Sequence, residues 1–334
     1  MIESALTDIE SPSSLVSVVV PCLNRAHYLI PTIESILKQD YQRIECIVVD
    51  GGSNDGTVEI LRQYGNRIKW VSERDKGHSD AINKGWRMSE GEILSWLNAD
   101  DLYVVPHAIG KAVAYLQKNP DVDVLYGDYS EISEDGEVIR SMIRPRKWDL
   151  ASAVRSCHYT VPQATSFMRR PILEKVGWLD AEFGNGKDHD LWLRIGMVGT
   201  IRYAPFHIAY VRNCRGLSQR LDMGEAKVRV TKKFFQQSGL PAPFNSARFK
   251  RRALSNSFLV GSVYTWRGTK QLKPTFQYLK RAFTLDPLNC PFILAELTGR
   301  FSRSIFALLP SQWRKNIKGV RQRIGQNFHG SHSC

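Results

Sequence analysis

The sequence predicts an α/β fold, in which a mostly parallel β-sheet is flanked by helices and followed by a basic, α-helical C-terminal extension. Two observations support this prediction. Short continuous apolar runs alternate with segments of helical periodicity along the first two thirds of the 334 residues, and strand–helix–strand units of this kind form parallel sheets. The last third then changes in composition and charge. We expect an N-terminal tail at 1–14, an α/β domain at 15–222 and a basic helical region at 223–334.

The apolar runs define the predicted strands. LVSVVVP and IECIVV are rich in β-branched residues, as expected for strands that are buried on both faces. The expected strands lie at 15–21, 44–49, 68–71, 93–97, 122–126, 201–203 and 208–211, with a hairpin at 128–138 that turns at 134–136. The expected helices lie around 33–37, at 57–64, from 79 or 80 onward, and at 108–118, 171–177, 191–195, 224–237, 247–267, 275–285 and 291–309.

Composition excludes several classes of protein. No run of about 18 or more apolar residues is present, so no membrane-spanning helix is expected. The six cysteines are scattered without close pairs, which argues against a zinc site and a disulfide framework and fits a reducing cytoplasm. Residues 1–14 lack the basic and apolar regions of a signal peptide. We therefore expect a cytoplasmic protein.

The net charge of +13 is unevenly distributed. Residues 1–222 contain 26 lysine and arginine residues against 30 aspartate and glutamate residues, whereas residues 223–334 contain 20 against 3. A positive segment of this size predicts an anionic partner, such as a membrane surface, nucleic acid or an anionic substrate.

The most informative stretch is LSWLNADD, in which a buried-type strand ends abruptly in Asn98, Asp100 and Asp101. Ligands bind at the carboxyl ends of strands in open α/β sheets, and two adjacent acids there repel each other unless a positive group lies beside them. A divalent cation that holds a diphosphate is the simplest such group, because magnesium and manganese prefer hard oxygen ligands. The alternative is structural, with Asp101 capping a helix near Pro106.

Four motifs occur in the order VVVPCLNRA, IVVDGGSNDGT, WLNADD and KDHDLWLR. Together they resemble the inverting glycosyltransferases of the GT-A fold known as family 2, and the resemblance extends over about 15–222. It implies a GT-A fold, a Rossmann-like domain with a mostly parallel sheet. It also implies a nucleotide-sugar donor, by default a UDP-sugar, a divalent metal (Mn²⁺ or Mg²⁺) and sugar transfer with inversion to a hydroxyl acceptor.

The resemblance also implies roles for individual residues. The matching positions for binding of the donor nucleotide are Pro21, Asn24, Asp50, Asp80 and Asn98. Asp100 matches the metal ligand of the Asp-x-Asp signature, and Asp188 matches the catalytic base. Further candidates for diphosphate or acceptor contacts are Asp101, Gln163, Asp190, Arg212 and Arg215.

The sequence departs from the family pattern at three places. Asn98 replaces the first acid of the signature, which removes a charge but keeps a hydrogen-bonding side chain. Lys187 stands where the base motif usually begins with Glu, and a nearby cation lowers the basicity of Asp188. Arg212 and Arg215 lie where many relatives carry a histidine that helps to bind metal or diphosphate.

Structural roles remain open for several of these residues. Asp50 could cap the turn that follows it, and Asp80, Asp188 and Asp190 could be acids that favour a helix N-terminus without any proton chemistry. The isolated histidines are expected to be structural or surface residues; they are His78, His158, His189 and His207.

The basic third contains an apolar helical stripe of residues spaced by four, Leu297, Phe301, Ile305 and Leu309, flanked by arginines and lysines. Basic amphipathic helices of this kind lie on anionic bilayers. We therefore expect a peripheral protein on the cytoplasmic face of the membrane, acting on a glycan or lipid-linked acceptor of cell-envelope polysaccharide synthesis. The alternative is a helix that packs on the catalytic domain. No nucleic-acid partner is expected.

Three other functions are weighed against the transferase. A nucleotidyltransferase that makes sugar nucleotides needs a glycine-rich loop after the first strand to bind a triphosphate, but PCLNRAHY contains no glycine. A dehydrogenase needs G-x-G-x-x-G after a strand, and none is present. A non-catalytic anion-binding or membrane-binding protein would leave Asp50, Asp100 and Asp188 without a role.

Overall fold

The computed structural model describes residues 14–142, 147–156, 161–213, 222–269 and 271–286. These residues form two compact units. One lies within Met1–Leu150 and Thr160–Arg215, and the other within Ala151–Tyr159 and Gly216–Cys334. The sheet and the predicted site residues belong to the first unit.

The described strands form one nine-stranded sheet, in the order β3-β2-β1-β4-β8-β6-β9-β5, with β7 paired to β6. Their bounds are β1 (Val16–Cys22), β2 (Ile44–Asp50), β3 (Lys69–Ser72), β4 (Ile93–Trp96), β5 (Leu102–Tyr103), β6 (Val124–Ile132), β7 (Val138–Met142), β8 (Phe167–Arg169) and β9 (Ile201–Arg212). The half from β3 to β4 is parallel. The other half is mixed, because β8 runs antiparallel to both β4 and β6 while β9 runs parallel to β6.

The described helices connect these strands and form most of the second unit. Their bounds are α1 (Ala26–Leu37), α2 (Thr57–Gln63), α3 (His78–Met88), α4 (Ala108–Lys118), α5 (Leu150–Ser156), α6 (Arg170–Val176), α7 (Lys187–Val198), α8 (Asp222–Phe234), α9 (Ala247–Thr269) and α10 (Leu272–Leu285). None of the helices in the described ranges is long and apolar enough to span a bilayer.

The core lies on both faces of the sheet, as the continuous apolar runs predict. Val18 and Val20 of β1 face a cluster that includes residues of α1 and α4. Val19, between them, faces a second cluster that includes residues of α3 and α7. Because successive side chains of a strand point to opposite faces, a strand covered by helices on both sides must be apolar at every position.

Helix α3 lies unusually close to the central strand. A Cβ atom at Gly85 would overlap the side-chain methyl groups of Val19, so only glycine permits this approach. The close packing fixes the position of α3, and therefore the position of the residues at its N-terminus, against the sheet.

The structure corrects three sequence-based predictions. The strands expected at 201–203 and 208–211 form one strand, β9, because pairing with β6 continues across the interruption through two register shifts. Helix α7 begins at Lys187 rather than at 191, since a short 3₁₀ segment, Ala181–Gly186, leads directly into it. Helix α3 begins at His78, one residue earlier than predicted.

The second unit is helical, as expected from its sequence. Its three longest described helices, α8, α9 and α10, cover most of the helices predicted at 224–237, 247–267 and 275–285. Ser255 of α9 donates a hydrogen bond to the carbonyl oxygen of Ala282 in α10 at 2.9 Å. The stripe predicted at 297–309 lies outside the described residues, and the boundary at 222/223 stays a prediction.

Candidate functional site

The site lies at the carboxyl edge of the parallel half of the sheet. Strands β1, β2 and β4 end there in adjacent positions, because Cys22 is in register with Asp50 and Val19 with Trp96. The loops that follow these strands are therefore neighbours. Four of the five predicted nucleotide-binding positions, Pro21, Asn24, Asp50 and Asn98, lie in or beside these loops, as does the predicted metal ligand Asp100.

The loop after β2 is held together by Asp50. This residue is fully buried, and its carboxylate accepts hydrogen bonds from the backbone N–H groups of Gly52 (3.2 Å) and Ser53 (3.0 Å). The hydroxyl groups of Ser53 and Ser72 also donate to it, the latter at 2.6 Å. Asp50 thus takes the structural role that its sequence position left open, and its predicted contact with the nucleotide stays a prediction.

Asn24 joins the loop after β1 to the loop after β2. Its backbone lies in the left-handed region (φ 51°), which asparagine tolerates better than most residues. Its side-chain oxygen accepts from the N–H of Asn54 at 3.0 Å, and its own N–H donates to the Ser53 hydroxyl at 2.7 Å. Pro21 lies just before it, buried in β1 and in register with Val49. The predicted nucleotide-side loops are therefore pre-organised.

Asp100 has few contacts of its own. It is 8% exposed, and within the described ranges the only hydrogen-bond or ion-pair partner of its carboxylate is Arg25, whose Nε lies 3.8 Å away. The backbone around it is firmly held, since the Thr32 hydroxyl donates to the carbonyl oxygens of Ala99 (3.0 Å) and Asp101 (2.9 Å). A carboxylate on a rigid turn with a single, distant counter-charge is well suited to bind a further cation.

Asp101, by contrast, is saturated with contacts. It is 1% exposed and accepts hydrogen bonds from the side-chain amide of Asn98 (3.0 Å), the backbone N–H of Arg212 (3.0 Å) and the side-chain amide of Gln163 (3.4 Å). Burial and the neighbouring charge of Asp100 raise the pKa of Asp101, and the hydrogen bonds from Arg212 and Asn98 oppose this. Asp101 is therefore a buried structural residue that links the turn after β4 to Gln163 and Arg212.

Arg212, the last residue of β9, connects the acidic turn after β4 to the turn after β6. Its Nε donates to the carbonyl oxygen of Asp100 at 3.1 Å, and its Nη1 donates to those of Ser133 (2.8 Å) and Glu134 (2.6 Å). The guanidinium also lies 4.8 Å from the centre of the Tyr28 ring. These contacts give Arg212 a structural role, and its predicted diphosphate contact stays a prediction. Arg215 lies outside the described residues.

His78 is a site residue that the sequence prediction missed. Its Nε2 lies 3.0 Å from the side-chain oxygen of Asn98, so the start of α3 meets the Asn-Ala-Asp turn. Lys187, at the start of α7, is close enough to lower the pKa of His78. The usable sequence signal was its position in the polar run DKGHSDAINKG, which leads into a helix. Asp80, in the same run, accepts from the N–H of Lys76 at 3.0 Å and so stabilises the turn before α3.

The predicted base, Asp188, lies in the first turn of α7 and is half-buried. Its carboxylate accepts a hydrogen bond from the N–H of the next residue, His189, at 2.8 Å. Asp190 is buried and forms an ion pair with Nε of Arg194 at 2.8 Å, and Arg194 in turn binds three backbone carbonyl groups between Val176 and Trp178. The two acids of this motif therefore differ, and Asp190 anchors α7 to the preceding segment.

The carboxylate oxygens of Asp100 suit a divalent cation that is also bound by a substrate. Within the described residues, no group of three or more His, Cys, Asp or Glu side chains is placed to hold a metal ion. Magnesium and manganese at phosphate sites are typically held by one or two carboxylates together with phosphate oxygens and water. Asp100, with its single distant partner, fits that arrangement.

Comparison with known sequences supports the sequence resemblance. The model of Glycosyl transferase family 2 matches residues 17–177. An uncharacterized glycosyltransferase of Rickettsia typhi is 31% identical over 198 residues, 57% of this chain and 61% of the relative. The Escherichia coli protein WfgD, named UDP-Glc:alpha-D-GlcNAc-diphosphoundecaprenol beta-1,3-glucosyltransferase, is 27% identical over 183 residues, 54% of this chain and 69% of that protein. The match to five Rickettsia relatives spans only 28% to 61% of their own length.

Comparison with solved structures supports the fold. Residues 1–349 of Staphylococcus aureus TarS, in complex with UDP-GlcNAc, give a TM-score of 0.63 at 16% identity, with 94% of this chain and 92% of that chain covered. The mannosyltransferase PcManGT from Pyrobaculum calidifontis, in complex with GDP-Man and Mn²⁺, gives 0.58 at 21% identity, with coverage of 93% and 86%. The predicted fold class is thereby confirmed. Residues 17–177 thus resemble Glycosyl transferase family 2, and the chain has the GT-A fold.

Proposed function

We propose that this chain is an inverting glycosyltransferase that moves a sugar, a hexose by default, from a nucleoside diphosphate sugar to a hydroxyl group of an acceptor. The observation that supports this most strongly is the carboxylate of Asp100. It lies on a rigid turn at the carboxyl end of β4, beside the loops after β1 and β2, and Arg25 is its one hydrogen-bond or ion-pair partner among the described residues. Open α/β sheets bind their ligands at this edge.

The donor is proposed to be a UDP-sugar. WfgD carries UDP-Glc in its name and TarS was solved with UDP-GlcNAc, although PcManGT was solved with GDP-Man. In this chain the nucleotide would lie against Pro21, Asn24 and Asp50, with Asp80 and Asn98 at its edges. The hydrogen bonds that hold Asn24 and Asp50 keep these loops in place before the donor arrives, so little ordering cost is left for binding.

Asp100 is the residue proposed to hold a divalent cation, Mn²⁺ or Mg²⁺, together with the diphosphate of the donor. When bound, such a cation stabilises the negative charge that develops on the leaving diphosphate. The neighbouring Arg25, 3.8 Å from Asp100, is a second positive group on the same side. Asn98 contributes no charge, which leaves Asp100 as the sole carboxylate of the Asn-Ala-Asp segment.

Asp188 is proposed to act as the base. An acceptor hydroxyl group has a high pKa and is a weak nucleophile, so a carboxylate within hydrogen-bond reach must take its proton as the new bond forms. Attack from the face opposite the leaving diphosphate inverts the anomeric carbon in one displacement, and no second carboxylate is required.

The acceptor is proposed to be a glycan or a lipid-linked intermediate of the cell envelope, as the diphosphoundecaprenol in the name of WfgD suggests. The basic region at 223–334 supports contact with an anionic membrane surface, since it carries 20 lysine and arginine residues against 3 acidic ones. A peripheral position on the cytoplasmic face would bring the site to such an acceptor.

Thermal unfolding with a panel of nucleoside diphosphates and triphosphates, with and without Mn²⁺, tests the proposal. A ligand that binds only the folded state at about 100 times its Kd adds about 2.7 kcal/mol of stability, which raises Tm by several degrees. We expect one nucleotide, UDP, to raise Tm in the presence of Mn²⁺, and Asp100→Ala to abolish the shift. Asp121→Ala, which removes an exposed carboxylate at the opposite edge of the sheet, is the control and should keep it.

Two outcomes would contradict the proposal. No shift with any nucleoside diphosphate would favour a non-catalytic, surface-binding protein. A shift with triphosphates alone would favour a nucleotidyltransferase instead.

A further inference from the structure

His78 begins α3 and points toward the turn that carries the proposed metal ligand. Its Nε2 lies 3.0 Å from Oδ1 of Asn98. Within the described part of the chain this is the only hydrogen bond of the His78 side chain. The second ring nitrogen, Nδ1, therefore has no partner there, and the residue is exposed to solvent. Helix α3 is held rigidly against β1 by the close approach at Gly85, so the ring is presented from a fixed support.

The partners of Asn98 determine which nitrogen of His78 carries the proton. The amide nitrogen of Asn98 donates to Oδ2 of Asp101 at 3.0 Å, which turns the amide oxygen toward the imidazole. The oxygen of a side-chain amide can only accept a hydrogen bond, so Nε2 of His78 must be the donor. In a neutral imidazole the other nitrogen is then an acceptor. The chain Asp101–Asn98–His78 thus leaves Nδ1 as a free hydrogen-bond acceptor.

The surroundings keep the imidazole neutral. The neighbouring protein groups and the positive charge of Lys187 lower the pKa of His78, against the opposing effect of the hydrogen bond to Asn98. An uncharged ring has no attraction for the diphosphate, and phosphate oxygens, being acceptors, cannot donate to Nδ1. The matching groups on a sugar nucleotide are its hydroxyl groups, on the ribose and on the transferred sugar.

We propose that Nδ1 of His78 accepts a hydrogen bond from a hydroxyl group of the sugar-nucleotide donor and so selects donors that carry this hydroxyl. The position supports it, since His78 lies between Asn98, two residues before the proposed metal ligand, and Lys187, next to the proposed base. The inference rests on the proposed function and adds to it a donor-contact residue that determines specificity.

Two substitutions separate the two ring nitrogens. The amide of Gln reaches about as far as Nε2, so His78→Gln can keep the contact with Asn98 but removes the acceptor at Nδ1. The shorter Asn places its amide near the position of Nδ1, so His78→Asn keeps an acceptor there. His107→Gln is the matched control, because His107 is exposed in the same unit and pairs with Asp40 between α1 and α4.

The experiment measures Kd by titration in Mn²⁺ for ligands that differ by one hydroxyl group. UDP, 2′-deoxy-UDP and 3′-deoxy-UDP test the ribose, and a UDP-hexose and its monodeoxy-hexose analogues test the sugar. Loss of the contacted hydroxyl should weaken binding about fivefold in the wild type, the scale of one net hydrogen bond. It should have no effect in His78→Gln, because the acceptor is already missing. His78→Asn should remain closer to the wild type, and His107→Gln should equal it.

The outcomes separate the inference from the proposed function. Binding of UDP that depends on Asp100, with every deoxy analogue weakened equally in the wild type and in His78→Gln, would overturn the role of His78 alone. No binding of any of these ligands by the wild type would overturn the proposed function and the inference with it. A difference confined to the ribose analogues or to the hexose analogues would identify the hydroxyl.

Discussion

Two loops at the same edge of the sheet each carry two acids, and they use them differently. In the loop after β2, Asp50 and Asp55 both accept hydrogen bonds from the chain itself. Asp55 binds the N–H of Ala26 (3.0 Å) and the N–H and hydroxyl of Thr57 (3.2 and 2.6 Å). In the turn after β4, Asp101 is used in this way, whereas the only partner of the Asp100 carboxylate among the described residues is Arg25, at 3.8 Å.

The comparison shows what distinguishes a structural acid from a ligand-binding acid. A carboxylate that is removed from water must be compensated by hydrogen bonds or by opposite charge. Asp50 and Asp101 obtain this compensation internally, so they gain little from an added cation. Asp100 is nearly as buried but has only one distant partner, and a bound cation would complete its surroundings. The contacts of each carboxylate, rather than its place at a strand end, separate the two roles.

The largest expected effect is a loss of kcat at α7, whose two acids differ in their contacts in the same way as Asp100 and Asp101. Asp188, like Asp100, has few contacts, whereas its neighbour Asp190 is paired with Arg194. Asp188→Asn should lower kcat by about 10²- to 10⁴-fold, the usual contribution of a general base, while the nucleotide-induced rise in Tm is kept. Steady-state kinetics with a UDP-sugar donor measure this. Glu182→Gln, an exposed residue shortly before α7, is the control, and equal losses in both variants would contradict the assignment.

A change in stability should separate Asp50 from Asp100 directly. Asp50→Ala removes a buried acceptor and leaves several donors without partners, which should lower the free energy of unfolding by about 3 kcal/mol. Without metal or nucleotide, Asp100→Ala should change it by no more than about 1 kcal/mol, because it loses one long ion pair and relieves repulsion with Asp101. Urea denaturation measures both. Equal losses of unfolding free energy in the two variants would contradict the distinction between Asp50 and Asp100.

The smallest effect concerns pH and His78. Its pKa in the folded protein is lowered from an ordinary value of 6.5 by the neighbouring protein groups and by Lys187. As pH falls from 7 to 5, the unfolded chain therefore binds a proton at this residue that the folded chain does not, and the wild type loses stability. His78→Gln removes this contribution. The free energy of unfolding of the wild type relative to His78→Gln should then fall between pH 7 and pH 5 in urea titrations, and a constant difference would refute the lowered pKa.

The parallel half of the fold could be predicted because each of its strands is a local apolar run. β1, β2 and β4 lie within one or two residues of the predicted bounds. The other half depends on distant pairing. Pro205 and His207 interrupt the apolar pattern of β9, and only the pairing with β6 makes it one strand.

The candidate site shows the same division between local patterns, which the sequence predicts, and long-range contacts, which it does not. Acids at the end of a predicted strand or at the start of a predicted helix are visible in the sequence, so Asp50, Asp100 and Asp188 could be singled out from their motifs. The contacts that assign their roles are long-range, however. Nothing near Asp101 in the sequence indicates its bond to the N–H of Arg212, and nothing near His78 indicates that it meets Asn98. A lone histidine in a polar run therefore looked like a surface residue.

The bonds of Arg212 to the acidic turn also bear on the synthesis of the protein. Its Nε reaches a carbonyl group 112 residues earlier in the chain, and its N–H supplies one of the donors that hold Asp101. The ribosome must therefore release β9 before the turn made much earlier can take its final form. A nascent chain that ends at residue 177, the end of the family-matched segment, contains Asn98 and Asp100. It lacks Arg212, with its bonds to the acidic turn, and Asp188. The contacts of Arg212 with the acidic turn and the residue Asp188 therefore both become available late in translation.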